Sequence, residues 1–365
     1  MRSFTVSERD WLEVRRYLQQ HRYELAVKAA GDYPVRSKIA GTPLLGAAEW
    51  VPADPIALSH ISLTWSAPTA DVLTVAACEC ALSLLPERYR RYSDVMSALD
   101  APAVFENRPT YRLTAADLAA TEPVLTFTRG RYFDGIDLGE AAAHEYARVR
   151  LSGQRAGLRR WIDDPCDLAR RPANLAITTL TLRLDRSAGR ASFLLHWRDP
   201  AKVGHAGGLY QVVPVGLFQP SGEAAWNEHN DFSLWRCMIR EFDEELRGRS
   251  EDYRSENGPI EYDTWPFARQ LTEELGSGRI RAWCLGLGVD PLTYATDLLT
   301  AVVIDSDVFD ELFSVYPRSN AEGKVLAARE FGQTEVEHAT TREPMQAAGA
   351  AALRLAWRER DSLLT

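Results

Sequence analysis

The run Leu298 to Ile304, Leu-Leu-Thr-Ala-Val-Val-Ile, constrains the fold of this chain more than any other stretch. It lacks the apolar–polar alternation of a strand with one wet face, and it is far too short to span a bilayer. It reads as a strand buried on both sides, so the sheet that holds it needs cover on either face. Leu175, Ile177, Leu180, Leu182 and Leu184 suggest another strand. Turn residues from Asp185 to Arg190 then lead to a returning strand, Ala191 to Trp197, as in a hairpin. Tyr210 to Val213 and Arg279 to Leu287 read as further strands. Thr264 to Leu275 reads as a helix closed by Gly276, Asp305 and Asp307 offer caps for a short helix, and Arg342 to Arg360 reads as a terminal helix.

The first half is mixed in character. Ser7 and Asp10 form a capping arrangement, and Trp11, Val14, Leu18 and Leu25 recur near helical spacing, which predicts one long opening helix ending at Gly31. Six prolines and glycines between Asp32 and Pro55 predict loop. Strands are expected at Ile61 to Trp65, Thr110 to Leu113 and Val124 to Tyr132, and helices at Ala70 to Leu85, Tyr92 to Leu99 and Leu138 to Leu151. A chain of 365 residues exceeds what one core usually fills, so two domains are expected. The segment from Asp164-Pro165 to Arg171-Pro172 divides a mixed α+β domain, 1–171, from a second domain, 172–365.

A net charge of -9 argues against a general nucleic-acid surface, which would need a basic face to outweigh that field. Five scattered cysteines fit reduced thiols better than a disulfide framework, and Cys78-x-Cys80 has no second pair at metal spacing. With no apolar leader and no long apolar run, the expectation is a cytoplasmic protein that does not engage a membrane.

Arg240-Glu241-Phe242-Asp243-Glu244-Glu245-Leu246 carries the chemistry. At about 100° per residue, Glu241, Glu244 and Glu245 share roughly a 100° arc of one helix, while Trp235, Ile239, Phe242 and Leu246 fall on a neighbouring arc that can enter a core. Three clustered carboxylates repel one another unless a hard divalent cation, Mg²⁺ or Mn²⁺, relieves the repulsion. Arg240, four residues before Glu244, is placed to hold that carboxylate.

These residues resemble the signature of the Nudix hydrolases. Pro214-Val215-Gly216 is similar to the Pro-Gly-Gly that opens the family's loop, and Arg240, Glu241, Phe242, Glu244 and Glu245 match the signature's core. The resemblance spans roughly Pro172 to Arg360. It implies a mixed-sheet α/β/α sandwich, metal ligation by Glu241, Glu244 and Glu245 with Arg240 in support, and hydrolysis of a nucleoside diphosphate linked to another group. The first half would then shape the substrate pocket or the interface of a homodimer.

The pattern departs from the family in three places. Arg240 follows Gly216 by 24 positions, about ten more than in the signature. Phe232 stands where the signature has a glutamate, beside Asp231, and Arg247 takes the place of the closing glycine. Glu228 or His229 is a replacement ligand or base in the sharper reading, and Asn230 or Asp231 a helix cap in the plainer one. Lys202 and His205, beside Gly204, Gly207 and Gly208, form either a mobile hairpin loop or a cradle for an anion. Glu322, Glu330, Glu335 and Glu337 are candidates for a downstream carboxylate. Arg129 and Arg131 share a strand face that could meet a phosphate. The chain also resembles the Nudix-like region of bacterial helix-turn-helix regulators, though no helix-turn-helix is evident here, so a ligand-sensing binding protein is the alternative function.

Overall fold

The computed structural model describes residues 6–66, 75–102, 104–153, 157–198, 208–250, 253–313 and 323–365. Lys202, His205 and Glu322 lie outside them.

The architecture is mixed α+β. Its centre is β10 (Ile280–Val289), β11 (Thr296–Asp305) and β5 (Leu175–Asp185); β10 and β11 run antiparallel and β11 and β5 parallel. On one side β1 (Ile56–Ala57) pairs with β10. On the other, β5 takes β6 (Arg190–Phe193) along its C-terminal part and β9 (Val215–Leu217) along its N-terminal part, and β13 (Arg329–Glu330) pairs with β6. Residues 296–304 of β11 are buried without interruption, as the apolar run requires. Its two faces meet different helices. Leu298, Val302 and Ile304 pack with Ile239, Phe242 and Leu271, whereas Leu299, Ala301 and Val303 pack with Leu353 and Leu355. The helices concerned are α8 (Leu234–Glu241) and α9 (Pro266–Gly276) on one face and α12 (Ala347–Arg358) on the other.

The expected hairpin return splits in two. After β6 the chain changes partners, and β7 (Leu195–Arg198) joins β8 (Tyr210–Val212) and β12 (Gly323–Val325) in a separate sheet. Asp305 does not cap the helix after it, α10 (Ser306–Leu312), with its side chain. Its carboxylate instead accepts from Arg186 at 2.8 Å.

In the first half, β2 (Ser62–Trp65), β4 (Val124–Arg131) and β3 (Pro109–Asp117) form a third sheet. The Ser7–Asp10 capping box is present. The single opening helix is instead two, α1 (Glu8–Gln20) and α2 (Arg22–Gly31), broken at His21. The break turns Arg22 toward Glu140, which both Arg15 and Arg22 contact inside the protein. Glu140 lies on α5 (Tyr132–Ser152), next to His144, whose burial lowers its pKa to about 3 and keeps it neutral against Trp11 and Tyr92.

Packing is continuous across residue 171: Leu113 and Phe127 share a core with Ile239 and Phe242. Arg171 itself is fully buried and donates to the carbonyls of Pro165 and Tyr294 and to Thr296 Oγ1. Among the described residues no helix is long and apolar enough to cross a membrane.

Candidate functional site

Ser233 caps α8, accepting from Arg236 N, and the helix widens into a π turn over Phe242–Leu246. Wide turns of this kind are uncommon and recur at functional sites. The expected amphipathic split holds at Ile239, Phe242 and Leu246, which are buried, while Trp235 is half-buried.

The acidic side of the turn meets β9. Glu245 Oε1 accepts from Val215 N at 2.8 Å, and His196 Nδ1 stands 3.5 Å from its other oxygen. Glu241 packs on Gly216 so closely that a Cβ there would lie 1.8 Å from Glu241 Cδ. Only glycine fits this approach. Glu244 Oε1 accepts from the Tyr253 hydroxyl at 2.8 Å. Burial first, and Glu244 second, push that hydroxyl well above its ordinary pKa, so it stays a donor. All three carboxylates, with Gly216, line one cleft of about 1430 Å³.

The expectation that Arg240 holds Glu244 is corrected. Its guanidinium donates to Tyr262 Oη and to the Gln219 carbonyl, both at 2.6 Å, and lies 3.5 Å from Asp231. Neither Asn230 nor Asp231 is the N-cap of α8, a place that Ser233 takes. Asp231 is completely buried and accepts from Ser221 N at 2.8 Å, Ser221 Oγ at 2.6 Å and Tyr262 Oη at 2.9 Å. A carboxylate next to Phe232 therefore locks Arg240 to the inserted segment. Phe232 joins an aromatic cluster, stacked on Trp65 at 4.8 Å and against Tyr111, Phe127 and Phe218. Its ring is core.

The inserted segment is tied to the first half by the two arginines noted above. Arg129 donates to both oxygens of Glu228, and Arg131 to Glu223 at 2.7 Å. Glu228 is thus an ion-pair partner on the surface of the insertion, and His229 is exposed.

Several cleft residues gave no sequence signal. Arg249 and Arg254 bring positive charge to the wall beside the carboxylates. Asp297, buried at the start of β11, accepts from Thr178 Oγ1 at 2.7 Å, and burial raises its pKa to about 7. Tyr253 follows the motif by a few residues and Asp297 lies far from it in sequence, and the fold brings both to the cleft, while Tyr262 meets Arg240 behind it. Glu330, Glu335 and Glu337 do not line the cleft.

The donors at the π turn are all carboxylate oxygens, the chemistry that Mg²⁺ and Mn²⁺ prefer. As placed, Glu244 and Glu245 are engaged by protein donors, and among the described residues no group of three or more His, Cys, Asp or Glu side chains is gathered to hold a metal ion. No family model and no curated protein sequence matches the chain.

Proposed function

We propose that the cleft binds a nucleoside diphosphate linked to a second group and hydrolyses its diphosphate linkage in the Nudix manner, on a Nudix-like domain, with Glu241, Glu244 and Glu245 as ligands for Mg²⁺ or Mn²⁺. One observation carries this reading: Glu245 and Glu241 dock on Val215 and Gly216 of β9, and Glu244 lines the same large cleft. The ion would polarise the bridging phosphates and lower the pKa of an attacking water. The chain's own residues do the positioning. Asp231, Tyr262 and Gln219 fix Arg240 at the base of the turn, and Val215 N fixes Glu245. Arg249 and Arg254 attract the phosphates.

A ligand-binding protein without turnover is the second reading. The hydrogen bonds that engage Glu244 and Glu245 favour it, because an ion would have to compete with Tyr253 and Val215 for those oxygens.

Incubating nucleoside diphosphate derivatives with Mg²⁺ or Mn²⁺ and either wild type or Glu244→Gln separates the two. Metal-dependent turnover that the variant loses supports hydrolysis. Ligand-induced thermal stabilisation without turnover supports the binding protein and ends the hydrolase reading.

A further inference from the structure

Asp297 is a buried carboxyl in the wall of the cleft, 7% exposed, and the proposed hydrolysis does not use it. It stands two residues before Leu299, on the face of β11 that α12 covers. Strand pairing fixes its place relative to the glutamates. Asp297 is opposite Ala176 of β5, and Ala176 is opposite Leu217 of β9. Two strand spacings, about 10 Å, therefore separate its backbone from the strand on which Glu241 and Glu245 dock. An ion held at that strand is out of its reach, so any role of Asp297 lies with another part of the ligand.

The fold gives this carboxyl no counter-charge. Among the described residues Thr178 Oγ1 is its hydrogen-bond partner, at 2.7 Å, and no Arg or Lys pairs with it. Two buried arginines reach the loop just before β11, yet both donate elsewhere. Arg159 gives hydrogen bonds to the carbonyls of Pro291 and Leu292 at 2.6 and 2.9 Å, and Arg171 to the Tyr294 carbonyl and Thr296 Oγ1, each at 2.9 Å. Neighbouring residues of a strand point to opposite faces, so Arg171, on the side of Thr296, is kept from Asp297. The charged group that does stand near is a second carboxylate of the cleft wall, Asp290, whose Oδ1 accepts from Leu292 N, Thr293 N and Thr293 Oγ1. The loop between the two acids is braced. Tyr294 holds a left-handed φ of 58°, and Gly139 packs so close that a Cβ there would lie 2.3 Å from the Thr293 carbonyl oxygen.

Carboxylates taken out of water are paired, because an unpaired one is costly. Here the protein itself supplies no cation, and the common nucleobases are neutral at physiological pH. We infer that the second group of the ligand carries a basic nitrogen, an ammonium or an amidinium, and that Asp297 pairs with it and selects it. The inference rests on the proposed diphosphate site, which sets the part of the ligand that Asp297 is left to meet. A proton follows from it. Burial, which outweighs the Thr178 hydrogen bond, raises the pKa of Asp297 to about 7, and a cation beside it lowers that value again. Binding of an amine near neutral pH thus releases a proton.

Isothermal titration calorimetry with Mg²⁺ would use wild type and Asp297→Asn. The probes are inorganic diphosphate, the diphosphates of adenosine, guanosine and cytidine, the aminoethyl and aminohexyl esters of adenosine diphosphate with their ethyl and hexyl counterparts, and hexylamine. At least one amino ester is expected to bind about tenfold or more tighter than its alkyl counterpart, and Asp297→Asn to remove that preference. At about pH 6.5, in buffers of different ionisation enthalpy, wild type should release more protons on binding the amino ester than the alkyl one. Asp290 is the other titratable group set against Asp297, whereas Thr178 and the cleft residues Ala347 and Ala348 of α12 are uncharged. Loss of the extra proton in Asp297→Asn assigns it to Asp297. Equal binding of amino and alkyl esters, or a preference that Asp297→Asn keeps, overturns the inference, while binding of adenosine diphosphate and inorganic diphosphate leaves the diphosphate site standing. A preference among the three bases that depends on Asp297, with none among the esters, gives the carboxyl to the nucleoside and likewise overturns it. If hexylamine binds through Asp297 and no diphosphate binds, the amine site stands and the proposed function fails. No binding of any probe ends both.

Discussion

The backbone N–H of Val215 donates to Glu245 Oε1 at 2.8 Å, joining the edge strand β9 to the π turn that follows α8. Through that bond and the contact of Glu241 with Gly216, the acidic turn is held in register with the strand rather than left to solvent.

Gly216→Ala tests the register. The added methyl meets the Glu241 carboxyl, so either that side chain swings out or the helix moves, at a cost of about 1–3 kcal/mol. Chemical denaturation should show the loss, and Mn²⁺ affinity should fall with it. Wild-type stability and Mn²⁺ binding in the variant would mean that the contact positions nothing.

Tyr253→Phe removes the donor to Glu244 while keeping the ring. The ion-free protein should lose about 1 kcal/mol, and Mn²⁺ should bind more tightly because its competitor for Glu244 is gone. Weaker Mn²⁺ binding would instead make the hydroxyl part of the ion's support.

Asp231→Ala strands the buried Arg240 without its carboxylate. A loss of about 3–5 kcal/mol is expected in urea unfolding, far more than for Glu228→Ala at the surface. Similar losses from the two substitutions would refute the role of Asp231 as the anchor of Arg240.

Asp297 makes stability depend on pH with a defined sign. Burial raises its pKa to about 7, so the folded chain holds a proton that the unfolded chain releases near pH 4. Its destabilising effect is absent below about pH 4, grows as pH rises and is complete above about pH 7, reaching at most about 4 kcal/mol. Asp297→Asn should therefore gain in melting temperature over wild type from pH 5 to pH 8. A constant difference across that range would show that Asp297 ionises normally.

What could be read from the sequence was local. The apolar run of β11, the Ser7–Asp10 cap and the helix Tyr92–Leu99 follow from residue order alone, because their signals lie within one element. The break at His21 does not, since the pull of Glu140 on Arg22 comes from a residue 118 positions away. The acidic face was legible from the spacing of Glu241, Glu244 and Glu245. Its surroundings were not. Spacing offered Arg240 as the partner of Glu244, whereas the fold supplies Tyr253 and commits Arg240 to Asp231 and Tyr262. Phe232 reads as a missing ligand in the motif, yet its place in an aromatic cluster needs Trp65 and Phe127 from the other half of the chain.

Titration of Mn²⁺ into the protein, followed by electron paramagnetic resonance of the free ion, tests most directly whether the three glutamates form one ion site. The account predicts saturable binding that Glu241→Gln, Glu244→Gln and Glu245→Gln each weaken at least about tenfold, with folding preserved by circular dichroism. Binding that is absent in the wild type, or indifferent to all three substitutions, would contradict it.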